Sequence, residues 1–218
     1  TLEKYIVTLI NKIELHQFRQ EQPSFRIKAS MYDGLVLEGN FKFQSKLDGY
    51  PPIDETYKLQ IKIPSKYPHE MIEVYEMNSR IPKIDTFHIN PNSSFCLGSP
   101  FKLKMLLSND ISLNNFVKKC LIPYLYAISL KLNHNMNLVF GELEHGNDGL
   151  YQDYQEILGL KNKEEVKLTF ILLAKKKRVA NKKQCPCGCN QRLGKCDFRF
   201  KLYRIRKVIS QSWFKNNM

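Results

Sequence analysis

The stretch Tyr57-Lys58-Leu59-Gln60-Ile61-Lys62-Ile63-Pro64 decides the fold. Apolar and polar side chains alternate without exception from Tyr57 to Ile63, and a proline stops the run. A period of two places Tyr57, Leu59, Ile61 and Ile63 on one face of a strand and Lys58, Gln60 and Lys62 on the other. One face is therefore dry and the other wet, as in an antiparallel sheet covered on one side.

The same pattern recurs on both sides of this stretch. Upstream, Leu35, Leu37, Phe41 and Phe43 alternate, with Gly39 as a candidate bulge and Asp33-Gly34 as a tight turn. Before them, Phe25, Ile27, Ala29 and Met31 form a further alternating run. Downstream, Ile72, Val74 and Met77 mark a fourth strand. Outside the strands the period becomes helical. Leu2, Ile6, Leu9, Ile10 and Ile13 give an amphipathic N-terminal helix ending before Pro23. Leu113, Phe116, Val117, Cys120, Leu121, Tyr124, Leu125 and Ile128 give another, with Ser108-Asn109-Asp110 as its cap and Pro123 expected to kink or break it. Cys120 falls on the apolar face and is expected in the core. The expectation is an α+β layer: an N-terminal helix, a four-stranded antiparallel meander, and C-terminal helices covering one face.

Composition bounds the class. Hydrophobic residues make up 43% of the 218, so the chain is globular. No apolar run has the length of a membrane span, and the N-terminal pattern is that of an amphipathic helix rather than a signal peptide. The expected compartment is the reducing cytoplasm, where six cysteines act as thiols, metal ligands or catalytic groups rather than disulfides. Charge is uneven. Residues 161–218 carry 17 Lys/Arg against 3 Asp/Glu, whereas residues 1–160 carry 17 against 18. This break predicts two domains, 1–160 and 161–218. In the second, a helix is expected from Glu164 to about Ala180, ending in Lys175-Lys-Lys-Arg178, and a basic amphipathic segment from Phe198 to Phe214.

Between the sheet and the second set of helices lies His88-Ile89-Asn90-Pro91-Asn92-Ser93-Ser94-Phe95-Cys96-Leu97-Gly98. Turn-forming residues lead to one cysteine flanked by apolar neighbours, a way of presenting a nucleophile from a rigid scaffold. The alternative is a buried, inert thiol. No acidic residue lies between His88 and Ser99 to hold the thiol protonated. His145, among turn residues at Gly141–Gly149, is either functional or bonded to a loop carbonyl or helix end.

The order helix, meander, proline-bearing loop, cysteine, helix resembles the ubiquitin-conjugating enzymes over about residues 1–130. Tyr67-Pro68 followed by a strand at Ile72–Glu76 resembles the family's Tyr-Pro stretch. His88-x-Asn90-Pro91 resembles its His-Pro-Asn motif, and Ser94-Phe95-Cys96-Leu97 its Ser-Ile-Cys-Leu. Here proline follows the asparagine, and counting back from Cys96 puts His88 on the family's asparagine position. The Cys-Leu-Gly ending and the Gly-Glu-x-x-His-Gly-x-x-Gly-Leu-Tyr-x-x-Tyr segment at Gly141–Tyr154 are similar to the divergent bacterial branch, the stand-alone kind found in short type II CBASS antiphage operons. The resemblance implies a thioester on Cys96, with His88 or Asn90 serving the oxyanion. The thioester would form with the C-terminus of a cGAS-like nucleotidyltransferase or a ubiquitin-like protein. No organic cofactor is implied. The chain has no glycine-rich adenylate-binding fingerprint, so an activated donor must come from elsewhere. Two other readings stand beside it: a Cys-His hydrolase with His88 as base, and a non-catalytic adaptor of the same fold.

In the basic region, Cys185-Pro-Cys187-Gly-Cys189 and Cys196 put four thiols into twelve residues. Such spacing reads as a structural zinc site. It resembles the SEC-C motif, with Cys185, Cys187 and Cys196 on its first three positions. Asp197 stands at the fourth, so the fourth ligand is either Cys189, supplying the missing thiolate, or Asp197. The alternative is a set of reactive thiols. The surrounding cations suit nucleic acid through its phosphates, or an acidic protein.

Overall fold

The computed structural model describes residues 12–138 and 147–217, which fall into two compact units, Thr1–Glu142 and Leu143–Met218. The first is α+β. Helix α1 (Lys12–Glu21) leads into strands β1 (Arg26–Ile27), β2 (Gly34–Ser45), β3 (Ile53–Pro64) and β4 (Glu73–Glu76). They pair in sequence order, β1-β2-β3-β4, all antiparallel. The β2–β3 register runs unbroken from Gly34 opposite Pro64 to Ser45 opposite Ile53. Leu37, Phe41, Phe43, Tyr57, Leu59, Ile61 and Ile63 are buried, so the period of two predicted the dry face of the central pair.

The edge strand is shorter than its alternation suggests. Strand β1 ends at Ile27, with one further bond from the Lys28 N–H to the Val36 carbonyl at 2.9 Å, and both Ile27 and Met31 are exposed. Gly39 is not at a bulge. It pairs in register with Leu59, and a Cβ there would stand 2.7 Å from the Phe25 Cα. The glycine allows two backbones to approach closely.

Helix α2 (Pro100–Leu106) follows the cysteine loop; then α3 (Leu113–Phe116), a π turn (Val117–Leu121) and α4 (Ile122–His134) follow one another directly. Pro123, expected to kink or break this run, does not break it but follows a local distortion of the helix. The Ile122 N–H reaches back five residues to the Val117 carbonyl, and this one wide turn makes room for the proline ring. The α3 cap is Ser112, accepting from the Asn115 N–H at 3.2 Å, and not Ser108–Asp110. Asp110 instead accepts from the Ser112 N–H at 2.9 Å, which holds its carboxyl below the usual range.

Helix α4 packs on β2 and β3. The Tyr57 and Ser129 hydroxyls meet at 2.8 Å inside the core. Tyr126 donates to the Pro51 carbonyl (3.0 Å) and accepts from the Leu47 N–H (3.2 Å), pinning the β2–β3 connection to the helix. Helix α1 contributes Phe18, whose ring lies edge-on to Phe25 at 5.1 Å. Leu2, Ile6, Leu9 and Ile10 lie outside the described residues, as does His145.

The second unit is helical: α5 (Asn147–Leu158), α6 (Lys163–Leu173), α7 (Lys177–Ala180), α8 (Phe198–Val208) and α9 (Gln211–Asn216). The compositional break near residue 160 lies inside it, because α5 packs on α6 through Tyr154 and Phe170, 4.9 Å apart. The helix expected to reach Ala180 stops at Leu173. Arg206 donates to the Leu172 and Leu173 carbonyls at 2.6 and 3.0 Å, and Gln211 to that of Ala174 at 2.7 Å, so side chains take over the terminal acceptors. The Phe198–Phe214 segment is likewise divided, with Ser210 capping α9. Among the described residues no helix is long and apolar enough to cross a membrane.

Candidate active-site loop and cysteine cluster

The loop from His88 to Gly98 is a closed turn bonded to the sheet. A 3-10 turn (Asp85–Phe87) ends at His88 in the left-handed region, φ 51°. Ile89 and Phe95 then face each other across a short antiparallel bridge. Inside it the Asn90 N–H donates to the Ser94 carbonyl and the Ser93 N–H to the Asn90 carbonyl, both at 2.8 Å. The Asn90 amide donates to Ser94 Oγ at 3.0 Å and to the Phe95 carbonyl at 3.1 Å, so both its hydrogens close the turn. Asn92 accepts from the Ser94 hydroxyl at 2.7 Å and donates to Glu73 of β4 at 3.1 Å. The Phe95 N–H bonds the Val74 carbonyl at 2.8 Å, joining the loop to the edge of β4.

Cys96 leaves this turn half-buried. Its N–H donates to the His88 carbonyl at 2.7 Å, which fixes the main chain behind the sulfur. Gly98, at φ 130°, takes a conformation that side chains disfavour and turns the chain toward Ser99, which caps α2. From the other side, α4 presents Tyr124. Its ring stacks on Phe95 at 4.5 Å, and its hydroxyl donates to the Phe87 carbonyl at 2.9 Å. Burial, with a smaller contribution from the neighbouring Cys96, holds that phenol well above its ordinary range, so it stays a neutral donor.

The structure thus brings the three sequence candidates together with different parts. Cys96 presents a half-buried free thiol. Asn90 shapes the turn through its side chain, and His88 holds Cys96 through its carbonyl. Tyr124 was read as one more apolar residue of a helix. The signal was there, since a tyrosine on an apolar face needs a partner for its hydroxyl. Cys120 is buried as expected, and burial pushes its thiol up to about 12.

In the second unit, Cys185, Cys187, Cys189 and Cys196 place their sulfurs within 4.8 Å of one another, an arrangement that can hold a metal ion. The Cys185–Cys187 and Cys187–Cys196 separations are 3.2 and 3.6 Å. A tetrahedral site with metal–sulfur bonds of about 2.3 Å has edges of about 3.8 Å, so small adjustments suffice. Asp197 is not in the group; Cys189 is its fourth member. The Phe198 N–H points at the Cys196 sulfur from 3.4 Å, the kind of outer bond that supports a thiolate ligand. Burial raises the Cys185 and Cys187 thiols, while the Gln191 N–H lowers that of Cys189. The loop is clipped to the turn that follows α7: the Leu193 N–H bonds the Lys183 carbonyl at 2.8 Å, and the Gly194 N–H that of Asn181 at 3.0 Å.

Comparison of the chain with family models, curated proteins and solved structures gives no match.

Proposed function

We propose that the first unit is a ubiquitin-conjugating-enzyme-like domain that carries an acyl group on Cys96 as a thioester and passes it to an amine. The observation that supports this reading is the framing of Cys96. It follows a turn closed by its own polar groups, bonded to β4 on one side and packed on Tyr124 on the other. A carrier needs its sulfur accessible and its main chain immobile, because binding energy then goes into orientation.

In this reading the Cys96 thiolate attacks the carbonyl carbon of an activated C-terminus, and the donor's leaving group departs with the bonding pair. The acceptor amine then adds to the thioester. The sulfur leaves as thiolate, a proton is lost, and an amide forms. Asn90 and Tyr124 are positioning residues, since their donors are engaged in holding the loop. His88 acts through its carbonyl. The sequence motifs support a donor that is a cGAS-like nucleotidyltransferase or a ubiquitin-like protein, in cytoplasmic antiphage defence of the short type II CBASS kind. In the second unit the four cysteines hold a structural Zn2+, which supplies a cross-link rather than chemistry.

Co-expression with its neighbouring genes, followed by intact-mass analysis and non-reducing gels, tests the assignment. A thiol-sensitive adduct is expected on the wild-type chain and none on Cys96→Ala. An adduct that persists in that variant sinks the nucleophile. A second reading, a non-catalytic adaptor, draws on the engagement of both Asn90 amide hydrogens. It requires that no adduct form while the partner still co-purifies.

A further inference from the structure

The second unit carries 17 Lys/Arg against 7 Asp/Glu. The four ion pairs found among the described residues all lie in the first unit. Some of the second unit's cations have structural tasks. Lys201 donates to the Leu158 carbonyl, and Arg206 to those of Leu172 and Leu173. The exposed Arg204 and Lys207 do not.

These cations surround aromatic rings where α7 meets α8. Asn181 donates to the Tyr203 hydroxyl at 2.7 Å, and Lys177 Nζ stands 3.7 Å from the Tyr203 ring centre. Phe200 lies edge-on to Tyr203 at 6.2 Å and is 48% exposed. The Arg199 guanidinium, tied to the Gly194 carbonyl at 3.1 Å, sits 4.3 Å from the Phe200 ring. Arg204 and Lys207 continue the line from Phe200 at helical spacing. Tyr203 and Arg199 are therefore held by neighbours, while Phe200, with the Arg199 guanidinium over its ring, keeps about half of its surface open beside the exposed cations Arg204 and Lys207.

We propose that this face of α7 and α8 binds single-stranded nucleic acid, with a base stacked on Phe200 and phosphates against Lys177, Arg199, Arg204 and Lys207. Charge alone would attract any polyanion, but the half-exposed ring between cations selects among them. A stacked base satisfies the ring and its phosphates the cations. A duplex hides its base faces, and a peptide of carboxylates has none. The inference is independent of the chemistry at Cys96.

The test uses the full chain with its metal and a 5′-fluorescein-labelled thymidine 20-mer, read by anisotropy. Binding is expected at 50 mM salt and should weaken about 50-fold by 200 mM if four phosphates are contacted. Arg204→Gln together with Lys207→Gln should weaken binding and flatten the log–log salt slope by about 1.4. Phe200→Ala should cost about tenfold with the slope unchanged, and Phe200→Tyr should bind normally. Circular dichroism and zinc content check that the variants fold, and Cys96→Ala should bind as wild type does. No binding at 50 mM salt would overturn the proposal. So would a matched duplex that binds as well and is indifferent to Phe200→Ala, since that is bare charge attraction. Polyglutamate competing as effectively as the oligonucleotide also rejects it and points to an acidic protein.

Discussion

Asn90 closes the turn that leads into Cys96 through its side-chain amide. Removing its amide leaves Ser94 Oγ and the Phe95 carbonyl without their donor, and Ser94 is buried. Asn90→Ala should therefore cost about 1–3 kcal/mol in chemical denaturation and slow adduct formation on Cys96 more than it lowers folded yield. The two thiols of the first unit differ in burial, Cys96 being half-buried and Cys120 buried. Burial holds Cys120 at about 12, so it remains a neutral thiol through pH 9. Iodoacetamide at pH 8 should label Cys96 in the folded chain and reach Cys120 only in denaturant. Peptide mass mapping reads both, and rapid labelling of Cys120 would contradict its burial.

At the scale of elements, the sheet and α4 are joined at two depths. In the core, the Tyr57–Ser129 pair is dry. Tyr57→Phe should destabilise by about 1–2 kcal/mol because it strands the serine hydroxyl, and adding Ser129→Ala should recover part of that loss. Urea melts of the four proteins give the coupling. Nearer the surface, Arg80 makes a two-pronged bond to Glu55 at 2.8 and 2.8 Å, and Asn133 of α4 adds a third donor at 2.7 Å. The Arg80 bond, more than the Asn133 one, holds the Glu55 carboxyl below its ordinary range. A depressed carboxyl contributes stability at neutral pH, and that contribution is lost as pH falls through its folded value. Glu55→Gln should cost about 0.5–1 kcal/mol at pH 7, the pair being partly solvated, and progressively less as pH falls through the folded value of Glu55.

At the scale of the molecule, the two units differ in how they are held. The first has a continuous core of buried aromatic and aliphatic residues from sheet and helices. The second has a smaller set of buried residues, with Phe170, Leu173, Leu202, Ile205 and Phe214 among them, and adds a loop of four cysteines. A chelator should therefore lower the melting temperature of the second unit and open residues 181–197 to protease, while fragments of the first unit persist. Metal analysis should find one zinc per chain before treatment, and Cys185→Ser with Cys187→Ser should abolish it. Intact zinc binding in that double variant would refute the assigned ligands.

Much of this was readable in the sequence. Alternation at Tyr57–Ile63 determined a strand and its dry face, because a pleated backbone sends successive side chains to opposite sides. The spacing of Cys185, Cys187, Cys189 and Cys196 kept all four sulfurs within one loop's reach. Motif order singled out Cys96. Other features depended on contacts that periodicity does not reveal. Gly39 reads as a bulge until Phe25 is seen against it, and Pro123 as a break until a π turn makes room. The Asn90 amide is a candidate oxyanion donor in sequence; in the folded loop it binds Ser94 and Phe95. Local periodicity fixes which way a side chain faces. What meets it there is settled only when the chain folds: within the loop for His88 and Asn90, and between distant segments for Gly39 and Tyr124.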